Sequence, residues 1–198
     1  MRLVLDWDGT VTEVDTLHLV MEQFGDPGLF RRSEGALGRS LTLQEVISIE
    51  FATVSAPLDE VVEWLLGVAR VRPGFHEVVD RYRPVVVSSG FHELIEPVLA
   101  REGIEVELRA NRVDPRPDGW RVVWQYADTC EACGELCKRP VLPANGEVVY
   151  VGDGFSDRCA ALAADRVFAL GSLARYLDAQ GVAYEEFTDF HALAQTLG

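Results

Sequence analysis

Leu3-Val4-Leu5-Asp6-Trp7-Asp8-Gly9-Thr10 decides the reading of this chain. A short apolar run that ends in acids and then glycine predicts a buried strand delivering polar side chains to a sheet edge. Ligands and chemistry collect at such carboxyl ends of parallel strands. The same grammar returns far downstream, where Val148-Val149-Tyr150-Val151 leads into Gly152-Asp153-Gly154-Phe155-Ser156-Asp157. Lys138, between these two segments, is the chain's single lysine, every other strong base being arginine.

The pattern outside these strands predicts helices and more strands. After the first strand the chain reads as helical up to about Val71. Asp15 can cap a helix carrying Leu17, Leu19, Val20 and Phe24, stopped by Gly25 and Pro27. Thr42-Leu43-Gln44-Glu45 has the spacing of a capping box, and Pro57 opens an amphipathic segment through Val68. This insertion of roughly 60 residues, 12–71, is too long for a plain loop and reads as a helical cap. Residues 1–11 and 72–198 form the core.

Within the core, Pro84-Val85-Val86-Val87 ends in Ser88-Ser89-Gly90 and leads into a helix near His92 to Arg101. Glu105 to Arg112 and Trp120 to Tyr126 flank the turn-rich Pro115-Arg116-Pro117-Asp118-Gly119 and predict a β-hairpin. A strand, loop and helix follow over Glu147 to Ala164. Another strand falls at Val167 to Leu170, with a helix near Leu173 to Gln180. Alternating strands and helices make this an α/β fold, a doubly wound, mostly parallel sheet.

Composition narrows the function classes. A chain of 198 residues with 48% hydrophobic and 25% charged residues has ordinary globular values and is long enough to bury a real core. A net charge of -14 argues against nucleic-acid and anionic-membrane partners, which need clustered bases. With no long apolar run and no leader pattern, a cytoplasmic protein is expected.

Asp6, Asp8, Asp153 and Asp157 all fall just after apolar strands. Carboxylates brought together repel unless a cation neutralises them, and an oxygen-only set suits a hard ion such as Mg²⁺ together with substrate phosphate. Phosphoryl transfer asks for a nucleophile, a group to protonate the leaving oxygen and stabilisation of charge. Asp6 and Asp8 can meet the first two needs from one strand end.

These segments together resemble the phosphatases of the haloacid dehalogenase superfamily. Asp6 to Thr10 resembles the family's first motif, Val87-Ser88-Ser89-Gly90 the second, Lys138 the third and Gly152 to Asp157 the fourth. The resemblance implies a Rossmann-like core and these roles: Asp6 as nucleophile, Asp8 as general acid and base, Ser88 as phosphoryl hydrogen-bond donor and Lys138 as the cation beside the nucleophile. It further implies Mg²⁺ as cofactor, held by Asp6, the Asp8 main chain and Asp153, with Asp157 a ligand or a support. Ser89, Gly90 and Thr10, with Arg39 in the cap, complete the candidate substrate-binding set.

The insertion between the first two motifs resembles the cap of the phosphoserine phosphatase branch. Gly35 to Glu45, Arg72-Pro73-Gly74-Phe75 and the cysteines ahead of Lys138 resemble the methionine-salvage phosphatases. That subfamily's tighter Cys-Gly-Cys-Cys-Lys is here Cys133-Gly134-Glu135-Leu136-Cys137-Lys138. Where a phosphoserine enzyme would carry an arginine for the substrate carboxylate, this cap holds Glu50 or a neighbour. The expected partner is a small phosphorylated metabolite, and the chain a monomer or homodimer. Alternatives are phosphoserine hydrolysis, transfer to a second alcohol, or a non-catalytic phosphate-binding module.

Cys130, Cys133 and Cys137 are spaced Cys-x2-Cys-x3-Cys, with Cys159 far off in sequence. Reduced thiols packing a loop, a local disulfide and a structural zinc site all remain open. His18, His76, His92 and His191 show no ligand spacing, and packing is the default reading for each.

Overall fold

A computed structural model describes residues 1–125 and 129–198. The chain runs β1 (Arg2–Leu5), α1 (Thr16–Phe24), α2 (Pro27–Ala36), α3 (Leu43–Phe51), α4 (Leu58–Val68), α5 (Phe75–Tyr82), β2 (Val85–Phe91) and α6 (His92–Glu102). It continues through β3 (Glu107–Asp114), β4 (Arg121–Val123), β5 (Val148–Gly152), α7 (Arg158–Ala161), β6 (Arg166–Ala169), α8 (Gly171–Gln180), β7 (Glu185–Glu186) and α9 (Phe190–Leu197). The seven strands form one sheet in the order β4-β3-β2-β1-β5-β6-β7, parallel except for β4 against β3. The expected α/β sheet and hairpin are both present. Arg112 pairs with Val123 and Asp114 with Arg121. Tyr126, the expected end of the hairpin's second strand, lies outside the described residues.

Alternation along β1 builds two cores at once. Leu3 and Leu5 pack into one hydrophobic cluster and Val4 into another. This is what burial on both faces demands of a central strand. The chain leaves β1 for β2 on one side and later returns as β5 on the other. The carboxyl end of β1 is therefore a topological switch point, where an open crevice forms.

Local chemistry sets the cap helices. Asp15 accepts a hydrogen bond from the His18 N–H at the start of α1, and Thr42 and Glu45 close the expected capping box on α3. Pro27 ends one helix reading and begins another: Asp26 caps α2 and Pro27 sits in its first turn. The two chains crossing from core to cap lie side by side, Thr12 opposite Val71. The Glu13 N–H donates to the Arg70 carbonyl (2.9 Å) and the Arg72 N–H to the Val11 carbonyl (2.8 Å). The helical layer is also tied to the core elsewhere. The Trp120 indole donates to the Ala56 carbonyl at 2.9 Å, and Arg101 donates to the carbonyls of Leu66 and Ala69. No helix among the described residues is long and apolar enough to cross a membrane.

Candidate active site

Asp6 leaves the end of β1 with its N–H on the Val151 carbonyl of β5 (2.9 Å). The chain then makes one wide turn over Trp7–Val11, with Gly9 at φ +76°. That turn requires glycine for two reasons. A side chain at this φ is strained, and a Cβ there would lie 2.5 Å from Asp153 Oδ2. Arg72 holds the outer side of the turn, donating to the carbonyls of Thr10 (2.9 Å) and Gly9 (2.9 Å). β1 thus brings Asp6 to Lys138, and β5 brings Asp153 against the same turn.

The buried Lys138 ammonium donates to Asp6 Oδ1 and to Asp157 Oδ1, the latter at 2.7 Å. Burial works to neutralise Lys138, but the charges of Asp157 and Asp6 outweigh it and raise its pKa, so it stays protonated. Asp8 is oriented by two neighbours. Its Oδ1 accepts from the Thr16 N–H (3.0 Å) and hydroxyl, and its Oδ2 accepts from the Ser88 hydroxyl (3.1 Å). Ser88 in turn accepts the Gly90 N–H at 2.8 Å. The second strand end therefore meets the first.

Asp157 is expected as a ligand or a support, and its hydrogen bonds favour the second. Its Oδ1 accepts from Lys138 and from the Tyr150 hydroxyl, each at 2.7 Å. Its Oδ2 accepts the N–H groups of Asp153 and Gly154, each at 2.9 Å. Four donors fill the carboxylate, so Asp157 supports the site and has no lone pair to spare for a metal. Arg39 is not brought together with the others. It lies in the turn after α2, exposed, and does not line the cavity beside the aspartates.

The donor set fits a hard divalent cation. Asp6 and Asp153 offer carboxylate oxygens within 4.8 Å of each other, beside the fully bonded Asp157. Burial first, then the Asp157 charge, hold the Asp6 carboxyl well above the usual range, and Lys138 offsets this only in part. The same two causes push Asp153 up to about 6. The group is short of positive charge, and its ligands are all oxygen. Thr10 closes the set, its hydroxyl 3.5 Å from Asp153 Oδ1.

A cavity of about 360 Å³ opens between Asp6, Asp8 and Asp153 on the core side and the cap. Ser89 lines it, as do Arg158 and Phe155. From the cap come Leu17, Leu37, Leu43 and Ile47 together with His18, Glu34 and Glu50. Glu50 is buried and accepts the Ser33 hydroxyl; burial, outweighing that bond, pushes it up to about 7. Burial would lower His18, but the Glu34 hydrogen bond and the charges of Asp15, Glu34 and Glu50 hold it at about 9. Sequence reading missed Tyr150, Thr16 and His18 here. Tyr150 looks like any strand aromatic, and only the sheet register turns its hydroxyl toward Asp157.

The family model for haloacid dehalogenase-like hydrolases matches residues 3–162. The chain belongs to that family. The 2-hydroxy-3-keto-5-methylthiopentenyl-1-phosphate phosphatase of Bacillus cereus is 27% identical over 202 residues, covering 96% of this chain and 92% of that protein. Its Bacillus thuringiensis counterpart is 27% identical over 203 residues, covering 96% and 93%. Among solved structures, a phospho-aspartyl intermediate analogue of phosphoserine phosphatase superposes with a TM-score of 0.70 at 17% identity, covering 98% of both chains. Phosphoserine phosphatase from T. onnurineus gives a TM-score of 0.69 at 15% identity, covering 98% of this chain and 92% of that one. The resemblance drawn from the motifs, to phosphatases of this superfamily, is borne out.

Proposed function

We propose that this hydrolase is a Mg²⁺-dependent phosphomonoesterase that works through an aspartyl phosphate. The observation that carries the reading is the pair of differently held acids: Asp6 paired with a buried ammonium, and Asp8 oriented by Thr16 and Ser88. Asp6 and Asp153, with the Asp8 main-chain carbonyl, would hold the ion. When bound, Mg²⁺ supplies positive charge that offsets the charge developing on the phosphoryl oxygens.

An Asp6 carboxylate oxygen attacks phosphorus, the bond from phosphorus to the ester oxygen breaks, and Asp8 gives its proton to the leaving alcohol. Asp8 then takes a proton from water, which attacks the aspartyl phosphate and releases inorganic phosphate and free Asp6. Lys138 holds Asp6 in place, and the Ser88 hydroxyl and the Gly90 region receive the phosphoryl oxygens. The cap covers the site. A Cβ on Gly38 would lie 2.5 Å from the Phe155 ring, so cap and core approach closely at the cavity's edge and limit entry of water.

The lining favours a small phosphate ester with an uncharged, apolar tail. Four aliphatic side chains, three acids (Asp15, Glu34 and Glu50) and His18 come from the cap, and no cap arginine lines the cavity among the described residues. A substrate carboxylate, such as phosphoserine carries, would face Asp15, Glu34 and Glu50, and the one cap cation there, His18, is already paired with Asp15 and Glu34. The thioether-bearing substrate in the relatives' name suits this lining better.

Phosphate release from an aryl phosphate with Mg²⁺, wild type against Asp6→Asn, tests the chemistry; retained turnover in the variant overturns it. A panel of the methionine-salvage enol phosphate, phosphoserine and sugar phosphates tests the substrate. Preference for phosphoserine sinks that part alone. Formation of a new phosphoester with little free phosphate would identify a transferase.

A further inference from the structure

Three cysteines ahead of Lys138 and one just after Asp157 come together in the fold. Cys130, Cys133, Cys137 and Cys159 are unbridged, and their Sγ atoms all lie within 4.8 Å of one another. The sulfurs of Cys130 and Cys159 are 3.9 Å apart. A tetrahedral ion with bonds of about 2.3 Å to four thiolates sets their sulfurs about 3.8 Å apart. The one pair at 3.9 Å matches that edge, and the 4.8 Å limit on the others leaves the four sulfurs close enough to reach one such ion.

The local backbone is shaped for ligation. Cys130 to Glu135 folds into a tight loop, the Gly134 N–H on the Cys130 carbonyl and the Cys130 N–H on the Glu135 carbonyl, each at 2.8 Å. Gly134 takes φ +75°, which lets the chain turn back immediately after Cys133. The N–H groups of Ala132 and Cys133 are directed at the Cys130 sulfur, and that of Arg139 at the Cys137 sulfur. An all-sulfur set selects a borderline or soft ion over Mg²⁺, and four protein ligands leave no open position for chemistry.

We propose that Cys130, Cys133, Cys137 and Cys159 form a structural zinc site that locks the loop bearing Lys138 onto α7. Cys137 directly precedes Lys138, and Cys159 follows Asp157 by two residues. Lys138 and Asp157 are themselves ion-paired at 2.7 Å. A zinc ion there would join the same two segments that the ion pair joins. Each of the four thiols gives its proton to solvent as the divalent ion binds, leaving two net negative charges. Arg139 and Arg158 line the cavity beside Cys133, Cys137 and Cys159, and with Glu135 in the same lining they offset part of that charge. The site is independent of the substrate reading.

The test uses the full chain, expressed with zinc, alkylation-trapped at lysis for one portion and dialysed against metal-free buffer with reductant for the other. Elemental analysis is expected to find one zinc per chain, and Cys159→Ser to lower that occupancy at least tenfold. Cobalt added to the zinc-stripped wild type is expected to give thiolate-to-metal charge-transfer bands and the visible spectrum of a tetrahedral ion, a readout that stands even where the variant does not fold. Absence of retained zinc together with absence of the cobalt spectrum overturns the proposal. A disulfide among these cysteines in the alkylated portion overturns it as well. Neither readout involves phosphate release, so failure here is distinct from failure of the phosphatase reading.

Discussion

Gly9 and Asp153 meet at the centre of the site, where a Cβ on the glycine would lie 2.5 Å from the aspartate's Oδ2. Through this contact the turn after β1 and the end of β5 each limit the position of the other. Gly9→Ala should therefore act twice. Forcing alanine to φ +76° costs about 1–2 kcal/mol. Displacing Asp153 should raise the Mg²⁺ concentration for half-maximal activity by about 10–100-fold. Mg²⁺ titrations of phosphate release, beside thermal melts without metal, separate the two effects.

Lys138 lies buried between Asp6 and Asp157. Removing its charge leaves two buried carboxylates facing each other, so Lys138→Met should destabilise the metal-free protein by about 3–5 kcal/mol, read by denaturant unfolding. Lys138→Arg should not restore activity, because a planar guanidinium cannot place one compact donor between two oxygens. An arginine variant with wild-type kcat would show that charge alone suffices there.

The strand-end acids were legible because apolar runs announce buried strands and the following polar residues must emerge at an edge. Helix starts at Asp15 and Thr42 were legible because capping chemistry is local. What escaped depends on contacts distant in sequence. Pro27 is a local exception with two readings, a stop for α1 and the first turn of α2. β7 is two residues long and exists only by pairing with β6. Arg39 is exposed in the turn after α2 and is not among the residues lining the cavity, a placement its position in the sequence does not announce. Cys159 showed no partner in sequence, since its place beside Cys130 comes from packing α7 against the loop.

Tyr150 donates to an Asp157 oxygen that also takes Lys138. Both residues are fully buried, so no water can replace the lost donor in Tyr150→Phe. A hydrogen bond to a charged group of this kind contributes about 1.5–3 kcal/mol. The variant should melt several degrees lower, while kcat changes only a few-fold because Lys138 and two N–H groups still hold Asp157. A loss of activity as large as that of Asp6→Asn would instead make Tyr150 part of the chemistry.

Glu50 gives the cap a pH dependence whose sign follows from its environment. The carboxyl is buried against Ser33, with Glu34, Asp15 and His18 nearby, and moves from 4.5 to about 7 on folding. Between those values the folded chain holds a proton that the unfolded chain has released, so stability falls as pH rises through this window. Below about 4.5 the carboxyl is protonated in both states and this loss is absent. Glu50→Gln removes the titration while keeping size and a hydrogen-bonding oxygen. It should make the fall of the melting temperature between pH 4.5 and 7 shallower, the raised carboxyls of Asp6, Asp15 and Asp153 carrying the slope that remains, and raise it by a few degrees at pH 8. If the variant keeps the wild-type slope across that window, the dependence arises from another group.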